Sequence, residues 1–261
     1  MLQFFKKANL LMFKDRVCLL GQKRCLKNAY LFIFFCFLPL VFFSRPSHSQ
    51  EPEISSEYGL LVDHATGAFF FNKQADSSLS PGTVTKVMTA EVIFHALKSD
   101  LISLNTEYTV SEYAWRKGGG PSGTAAMFAE LNSRIKIKDL LRGLLIQAGN
   151  DAALILAEGY AGSEDAFIQL MNERAKAIGL THSHFANVTG FSNANQKTSA
   201  QDLVRLARYM IDTYPEFLSL FKEPEFTWNK IRQTNRNPLI GANPYIDGFM
   251  SGQTPDNGLS C

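Results

Sequence analysis

Residues 80–90 read Ser80-Pro81-Gly82-Thr83-Val84-Thr85-Lys86-Val87-Met88-Thr89-Ala90 and open an apolar run. Pro81 suits the first turn of a helix. Residues three positions apart share a helix face, so Lys86 can reach back toward the Thr83 hydroxyl. The apolar residues that follow recur at helical spacing and predict a buried helix; they are Met88, Val92, Ile93 and Leu97.

This hydroxyl and this lysine have the layout of an activated nucleophile. A buried lysine can lose its proton and act as a base. The amino end of a helix favours negative charge on the hydroxyl oxygen. The alternative is an ordinary helix start, which is the commoner meaning of a hydroxyl three residues before a lysine. Motifs later in the chain help to decide between an activated nucleophile and an ordinary helix start.

Composition narrows the class of protein. The chain has 261 residues and a formal net charge of +2, which allows one large domain or two small ones and gives no sign of nucleic-acid binding. His182 and His184 lie close together, but no carboxylate or third histidine stands at ligand spacing. We therefore expect no metal and no cofactor.

The first 49 residues are predicted to be a signal peptide with a long basic region. The apolar block Ala29–Phe43 is too short for a comfortable membrane span but suits a signal core. Ser47-His48-Ser49 supplies small residues for cleavage before Gln50, which leaves a domain at 50–261. The alternative is an uncleaved membrane anchor. Both interpretations place the domain outside the cytoplasmic membrane: a cleaved signal peptide leaves it periplasmic or secreted, and an anchor holds it at the outer face of the membrane. The basic residues are Lys6, Lys7, Lys14, Arg16, Lys23, Arg24 and Lys27.

Cysteine usage agrees with export. Cys18, Cys25 and Cys36 lie in the targeting segment, and Cys261 alone falls in the predicted domain. That domain therefore has neither an internal disulfide nor a thiolate metal site.

The remaining pattern predicts an α+β domain with helices clustered on an antiparallel sheet. Residues 58–72 contain two β-rich runs around a turn, which indicates a hairpin. The Gly- and Ser-rich residues 118–124 indicate a loop. Apolar spacing predicts a helix over 135–146 and another over 152–160, with Asn150 between them at the edge of the core.

Two further helices and a late strand complete the pattern. Ser163 and Ser199 are placed to cap helices, and Gly179 is placed to end the first of them. Segment 245–254 is the last one whose pattern predicts a structure, and it is expected to begin as a strand. Gly248 has no side chain and would allow another group to approach the backbone of this strand closely.

Three motifs resemble a known set at these positions. Thr83-x-x-Lys86, Ala148-x-Asn150 and Met250-Ser251-Gly252 resemble the Ser-x-x-Lys, Ser-x-Asn and Lys-Thr-Gly motifs of serine β-lactamases and penicillin-binding proteins. From Tyr58 onward the chain resembles the D-alanyl-D-alanine carboxypeptidases, or low-molecular-mass penicillin-binding proteins. Segments outside the motifs carry the same resemblance, among them 139–144, 149–152, 171–172, 179–180, 235–239 and 247–248.

The resemblance implies a β-lactamase/transpeptidase-like fold and a substrate that is the D-Ala-D-Ala end of a peptidoglycan stem peptide, with β-lactams as mimics. It implies that the helix-opening hydroxyl forms an acyl-enzyme and that the lysine takes its proton. Carried onto this chain, the catalytic positions are Thr83, Lys86 and Asn150. The substrate-binding positions are Met250, Ser251, Gly252 and the Gln253 N–H, which pairs with the nucleophile's own N–H as an oxyanion hole.

The chain departs from the family pattern at each motif. Thr83 stands in place of serine, and its extra methyl stiffens χ1 and crowds the attack. Ala148 lacks the hydroxyl of the second motif, although Asn150 is retained. Met250 replaces a lysine and cannot supply positive charge, whereas Ser251 can still donate a hydrogen bond.

These departures leave three hypotheses. Acid–base assistance increases a reaction rate by about 100- to 10,000-fold. One electrostatic contact to the transition state lowers the barrier by about 3–4 kcal/mol. Because residues that provide both are altered, we expect weak or no turnover. The chain is then a weak D-Ala-D-Ala carboxypeptidase, an inactive module that binds peptidoglycan or a protein, or a truncated, decaying gene product. The family's last strands are missing from the sequence, which predicts an unstable or aggregation-prone monomer.

Overall fold

A computed structural model describes residues 54–242, 244–246, 248–254 and 258–260 of the chain. The predicted signal peptide, its cleavage region and Cys261 lie outside these residues. The helices are α1 (Thr85–Lys98), α2 (Glu112–Gly118), α3 (Ile137–Leu145), α4 (Asn150–Ala161), α5 (Glu164–Ile178), α6 (Ala200–Thr213) and α7 (Ser219–Lys222), with short 3-10 turns at Gly82–Val84, Gly120–Ser122 and Pro215–Phe217. The strands are β1 (Gly59–Val62), β2 (Phe69–Lys73), β3 (Glu107–Thr109), β4 (Arg134–Lys136), β5 (Glu225–Trp228), β6 (Ile231–Thr234), β7 (Gly252–Thr254) and β8 (Gly258–Ser260).

The strands pair as antiparallel neighbours along the chain. β1 pairs with β2, β3 with β4, β5 with β6 and β7 with β8, so the described strands form four two-stranded sheets. The predicted hairpin at 58–72 is confirmed as β1 and β2. Asp63 Oδ1 accepts the Thr66 N–H at 2.8 Å, and Gly67 takes a φ of +75° in the turn.

Helix α1 lies at the centre of the core. Twelve of its fourteen residues are buried, including the predicted Met88, Val92, Ile93 and Leu97. Helices α3, α4 and α5 all pack against it. Because the helix is buried on nearly all sides, its polar side chains need partners inside the core. The buried Glu91 carboxylate has one in Arg174, whose Nη2 lies 2.6 Å from Glu91 Oε1.

Local capping fixes the ends of the later helices as predicted. The Ser163 side chain accepts the Ala166 N–H at the start of α5, and Gly179 ends that helix in the left-handed conformation. The Ser199 side chain accepts the Asp202 N–H at the start of α6. These ends depend on neighbours within four residues, so the sequence specifies them directly.

Two segments differ from the sequence-based expectation, and one hairpin was not predicted. The Gly-rich loop expected at 118–124 instead contains the end of α2 and a 3-10 turn, where Gly118 lies too close to the backbone of α4 to admit a side chain. The hairpin β5–β6 turns through Asn229 and Lys230, both at positive φ, without the glycine that usually signals such a turn. The strand expected from Tyr245 begins only at Gly252.

Candidate active site

A cavity of about 420 Å³ brings residues from all three motifs together. Of the sequence-predicted positions, Thr83, Lys86, Asn150, Ser251 and Gly252 line it. The remaining lining residues are Ala125, Ala148, Thr189, Gly190, Phe191, Ser192 and Arg236. The motifs are far apart in sequence, so their meeting is a property of the tertiary fold.

Thr83 sits on the 3-10 turn Gly82–Val84, immediately before α1. Gly190 packs onto this turn with a φ of +87°, and a Cβ there would lie 1.9 Å from the Gly82 carbonyl oxygen. Strand β7 also contacts the turn. The backbone around the Thr83 hydroxyl is therefore held from two sides.

Lys86 is buried beneath the cavity, with 2% of its surface exposed. Its Nζ donates a hydrogen bond of 2.5 Å to the Thr189 carbonyl oxygen rather than to Thr83. Burial lowers the pKa of Lys86 from 10.5 to about 7; repulsion from Arg236 adds to the decrease and attraction to Asp151 opposes it. A neutral amine is therefore present in a large share of molecules near neutral pH, as a proton acceptor requires.

Asn150 opens α4 at the cavity wall and is 5% exposed. Its side-chain Nδ2 donates to the Thr124 hydroxyl at 3.0 Å, and its backbone N–H donates to the Ala125 carbonyl at 2.7 Å. Ala148, two residues earlier, takes a φ of +57° and contributes only a methyl group to the cavity. The second motif thus presents an amide and no hydroxyl of its own.

Asp151 stabilises this wall from below. It is fully buried, and its carboxylate accepts the backbone N–H groups of Met127, Ala129 and Ala152 at 2.8–3.1 Å. Burial raises the pKa of Asp151, and the backbone donors oppose that increase. The carboxylate therefore holds the segment after the Gly-rich region against α4.

The third motif is split between cavity and core. Ser251 Oγ donates to the Arg236 carbonyl at 2.9 Å, and Gly252 begins β7 at the cavity edge. Gln253 follows in β7, the strand that contacts the turn carrying Thr83. Met250 does not line the cavity: its side chain is 5% exposed and belongs to the hydrophobic core.

Arg236 is the charged residue of this cavity that motif spacing alone does not identify. It lies in the segment Asn235-Arg236-Asn237-Pro238-Leu239, which carries part of the family resemblance, so a signal for it was present in the sequence. In the described residues, no group of three or more His, Cys, Asp or Glu side chains could hold a metal ion. None of the described helices has the length and apolar character needed to cross a membrane.

The fold and the cavity define the class of this protein. The family model described as D-alanyl-D-alanine carboxypeptidase matches residues 45–260, and the chain belongs to that family. Similar solved structures include penicillin-binding protein 5 from Haemophilus influenzae (TM-score 0.76, 32% identity, 80% of this chain and 60% of that one) and penicillin-binding protein 6B from Escherichia coli (0.74, 33%, 81% and 68%). The β-lactamase-like fold is thereby confirmed.

Particular relatives are similar over most of the chain. D-alanyl-D-alanine carboxypeptidase DacC of Escherichia coli K12 is 38% identical over 235 residues, which cover 89% of this chain and 58% of DacC. DacA of the same strain is 36% identical over 211 residues, which cover 80% of this chain and 52% of DacA. The chain thus spans a little over half the length of these curated relatives.

Proposed function

We propose that the cavity binds the D-Ala-D-Ala end of peptidoglycan stem peptides, and the β-lactams that mimic it, with weak acyl transfer through Thr83. The observation that carries this proposal is that Thr83, Lys86, Asn150 and Ser251 line one cavity in a chain of the carboxypeptidase family. In the proposed reaction the Thr83 hydroxyl attacks the terminal peptide carbonyl and releases D-alanine. Water then hydrolyses the ester that remains on Thr83.

Lys86 is assigned the proton transfer. Its lowered pKa supplies the neutral amine, but its hydrogen bond to the Thr189 carbonyl holds the amine on a partner other than the nucleophile. Proton transfer from Thr83 therefore requires that the Lys86 amine turn toward the hydroxyl. That reorientation, and the methyl of threonine, both slow the attack.

A second candidate is binding without turnover. Two observations favour it: Ala148 gives the cavity no relay hydroxyl, and Met250 is withdrawn into the core where the family has a cation. Loss of a proton relay lowers the reaction rate by about 100- to 10,000-fold. Loss of a contact to the transition state raises the barrier by about 3–4 kcal/mol. The effects of such losses are not additive. The two candidates share a ligand and differ in whether an ester forms on Thr83.

Intact-mass spectrometry after exposure to a penicillin separates them. A one-to-one mass increase that disappears in Thr83→Ala and persists in Thr227→Ala, an exposed threonine on β5, supports acyl transfer. A folded chain that forms no adduct but binds a D-Ala-D-Ala peptide more tightly than its L-Ala-L-Ala isomer supports binding alone. A folded chain that does neither refutes the proposed function.

We also propose that residues 1–49 direct export and that residues 50–261 form the cell-wall domain. The basic and apolar pattern of the segment supports this proposal. Expression in a bacterial host followed by mass measurement of the periplasmic fraction tests it. A chain starting at Gln50 supports cleavage, whereas a membrane-bound chain that keeps its first 49 residues supports the anchor.

A further inference from the structure

We propose that Asn187 is a positioning residue that aims the Thr189 carbonyl at the Lys86 amine. This inference deepens the proposed function, on which it rests, because it concerns the proton acceptor of the same cavity. Asn187 belongs to none of the three motifs, and only 8% of its surface is exposed. Its effect on the reaction passes through the peptide group that it holds.

The Asn187 side chain makes four hydrogen bonds to the turn that follows it. Its Oδ1 accepts the Gly190 N–H at 2.7 Å, the Thr189 N–H at 3.2 Å and the Thr189 hydroxyl at 3.3 Å. Its Nδ2 donates to the Phe191 carbonyl at 2.9 Å. Because the oxygen and the nitrogen of this buried amide are both engaged, the side chain selects one conformation of the turn.

The Gly190 N–H and the Thr189 carbonyl are the two ends of one peptide group. A peptide group is planar and trans, so its N–H and its C=O point in opposite directions. Asn187 holds the N–H end, and Lys86 Nζ donates to the C=O end at 2.5 Å. Because the group is rigid, fixing the N–H end also fixes where the carbonyl oxygen meets the amine.

The backbone on either side of this peptide group is tied to α1. The Thr89 hydroxyl donates to the Val188 carbonyl at 2.8 Å. The Gln196 amide nitrogen donates to the Thr85 hydroxyl at 3.1 Å, and the Gln196 amide oxygen accepts the Asn187 N–H at 3.1 Å. These bonds place the turn alongside the helix, and the Asn187 side chain then sets the orientation of the peptide group that the lysine contacts.

The carbonyl held in this way can serve both charge states of Lys86. Before the reaction it accepts a hydrogen bond from the lysine side chain. When Lys86 takes the proton of the Thr83 hydroxyl, its amine becomes an ammonium group, which donates a stronger hydrogen bond to a carbonyl than a neutral amine does. Asn187 therefore favours the charged form of Lys86 that proton transfer from Thr83 produces.

A double-mutant cycle in urea unfolding tests the proposal without a ligand. It compares wild type, Asn187→Ala, Lys86→Met and the double variant at pH 6 and pH 9.5, on either side of the Lys86 pKa of about 7. At pH 6, Asn187→Ala should raise the unfolding equilibrium constant about ten- to hundred-fold more in wild type than in Lys86→Met, because only wild type loses a charge-assisted hydrogen bond. At pH 9.5 the amine is neutral, and this excess should fall below about fivefold. Arg236 and Asp151, whose charges also act on Lys86, are the same in all four proteins.

Asn172→Ala is the matched control, because Asn172 holds the start of the same loop through the Phe185 N–H at 2.9 Å and the Phe185 carbonyl at 2.8 Å. Its cost should be the same in wild type and in Lys86→Met at both pH values. If Asn187→Ala does not fold, Asn187→Ser takes its place with the same expected sign, because a serine hydroxyl can accept one of the same donors. Equal costs of the Asn187 substitution in the two backgrounds, or an excess that does not change with pH, would overturn the assignment of Asn187.

The penicillin mass measurement separates this result from the proposed function. A pH-dependent excess in a chain that forms no adduct supports the positioning of Lys86 by Asn187 and counts against acyl transfer. An adduct on Thr83 in a chain without the excess supports acyl transfer and overturns the role of Asn187.

Discussion

Replacing Lys86 by methionine should stabilise the fold, and the gain should depend on pH. Methionine is close in length to lysine and carries no charge, so Lys86→Met removes the cost of burying an ammonium group. The folded-state pKa of Lys86 is about 7, against an ordinary value of 10.5. At 1.36 kcal/mol for each pKa unit, this difference corresponds to a stability cost on the order of 5 kcal/mol.

The sign follows from proton linkage. Between pH 7 and pH 10.5 the unfolded chain holds a proton on Lys86 that the folded chain has released. Wild-type stability from this residue therefore rises with pH across that window, by about 1.36 kcal/mol per pH unit. Below pH 7 both states are protonated and the full cost is present. The advantage of Lys86→Met should be largest at pH 6 and smaller by about 3 kcal/mol at pH 9.5.

Urea unfolding of both proteins at pH 6, 7, 8, 9 and 9.5 measures this difference. Other groups titrate over the same range, but they are common to the two proteins and cancel in the comparison. Lys176→Met, at an exposed position on α5, should differ from wild type by the same amount at every pH. A Lys86→Met advantage that stays constant within about 0.5 kcal/mol would refute the argument and show that Lys86 keeps its proton. Lys86 would then be unsuited to accept a proton from Thr83.

Three further outcomes are expected. Thr83→Ser should speed penicillin adduct formation by at least about tenfold, because the hindering methyl is removed; an unchanged rate in a time course of intact masses would show that the methyl is not limiting. Gly190→Ala should unfold the site or cost several kcal/mol of stability, because its Cβ would fall 1.9 Å from a backbone oxygen. Gly123→Ala, at a φ of +68° with open space around it, should cost only about 1–2 kcal/mol in thermal unfolding. Similar costs for the two variants would contradict the close packing at Gly190. Arg174→Met should destabilise the fold by about 3–5 kcal/mol in urea, because it leaves Glu91 buried without its cationic partner. A loss below about 1 kcal/mol would contradict the importance of this ion pair.

Helix ends and the first hairpin follow from sequence alone because their determinants are local. The spacing of apolar residues in α1 and the serine caps of α5 and α6 involve residues within four positions of one another. The same local logic missed α2, where Gly and Ser residues nearby indicated a loop. That short helix depends on Ser111, whose hydroxyl caps it and donates to Glu158 of α4 at 2.5 Å.

The late strand was placed too early for a related reason. The sequence from Tyr245 has a strand-like composition, but the backbone becomes a strand only at Gly252, where it pairs with β8. Strand pairing is a contact between separate segments, so composition indicates a capacity for pairing and does not locate the partner. The same holds for β3 and β4, which pair across the intervening residues 110–133, a segment that includes α2.

The sequence by itself determined the family, and it predicted the helix-opening Thr83 with Lys86 and the altered motif positions Ala148 and Met250. These are statements about residue identity and local spacing, which a chain carries whether folded or not. Only the tertiary structure decided that Met250 lies in the core and that Arg236 lines the cavity.

The charge state of Lys86 belongs to the same class of facts. Its pKa depends on how much water the packed chain removes and on an arginine far away in sequence. Its hydrogen bond goes to the Thr189 carbonyl, on a segment that the motif does not mention. Burial and distance between remote segments exist only after folding, so spacing could propose the nucleophile and its base but could not say which partner the base holds.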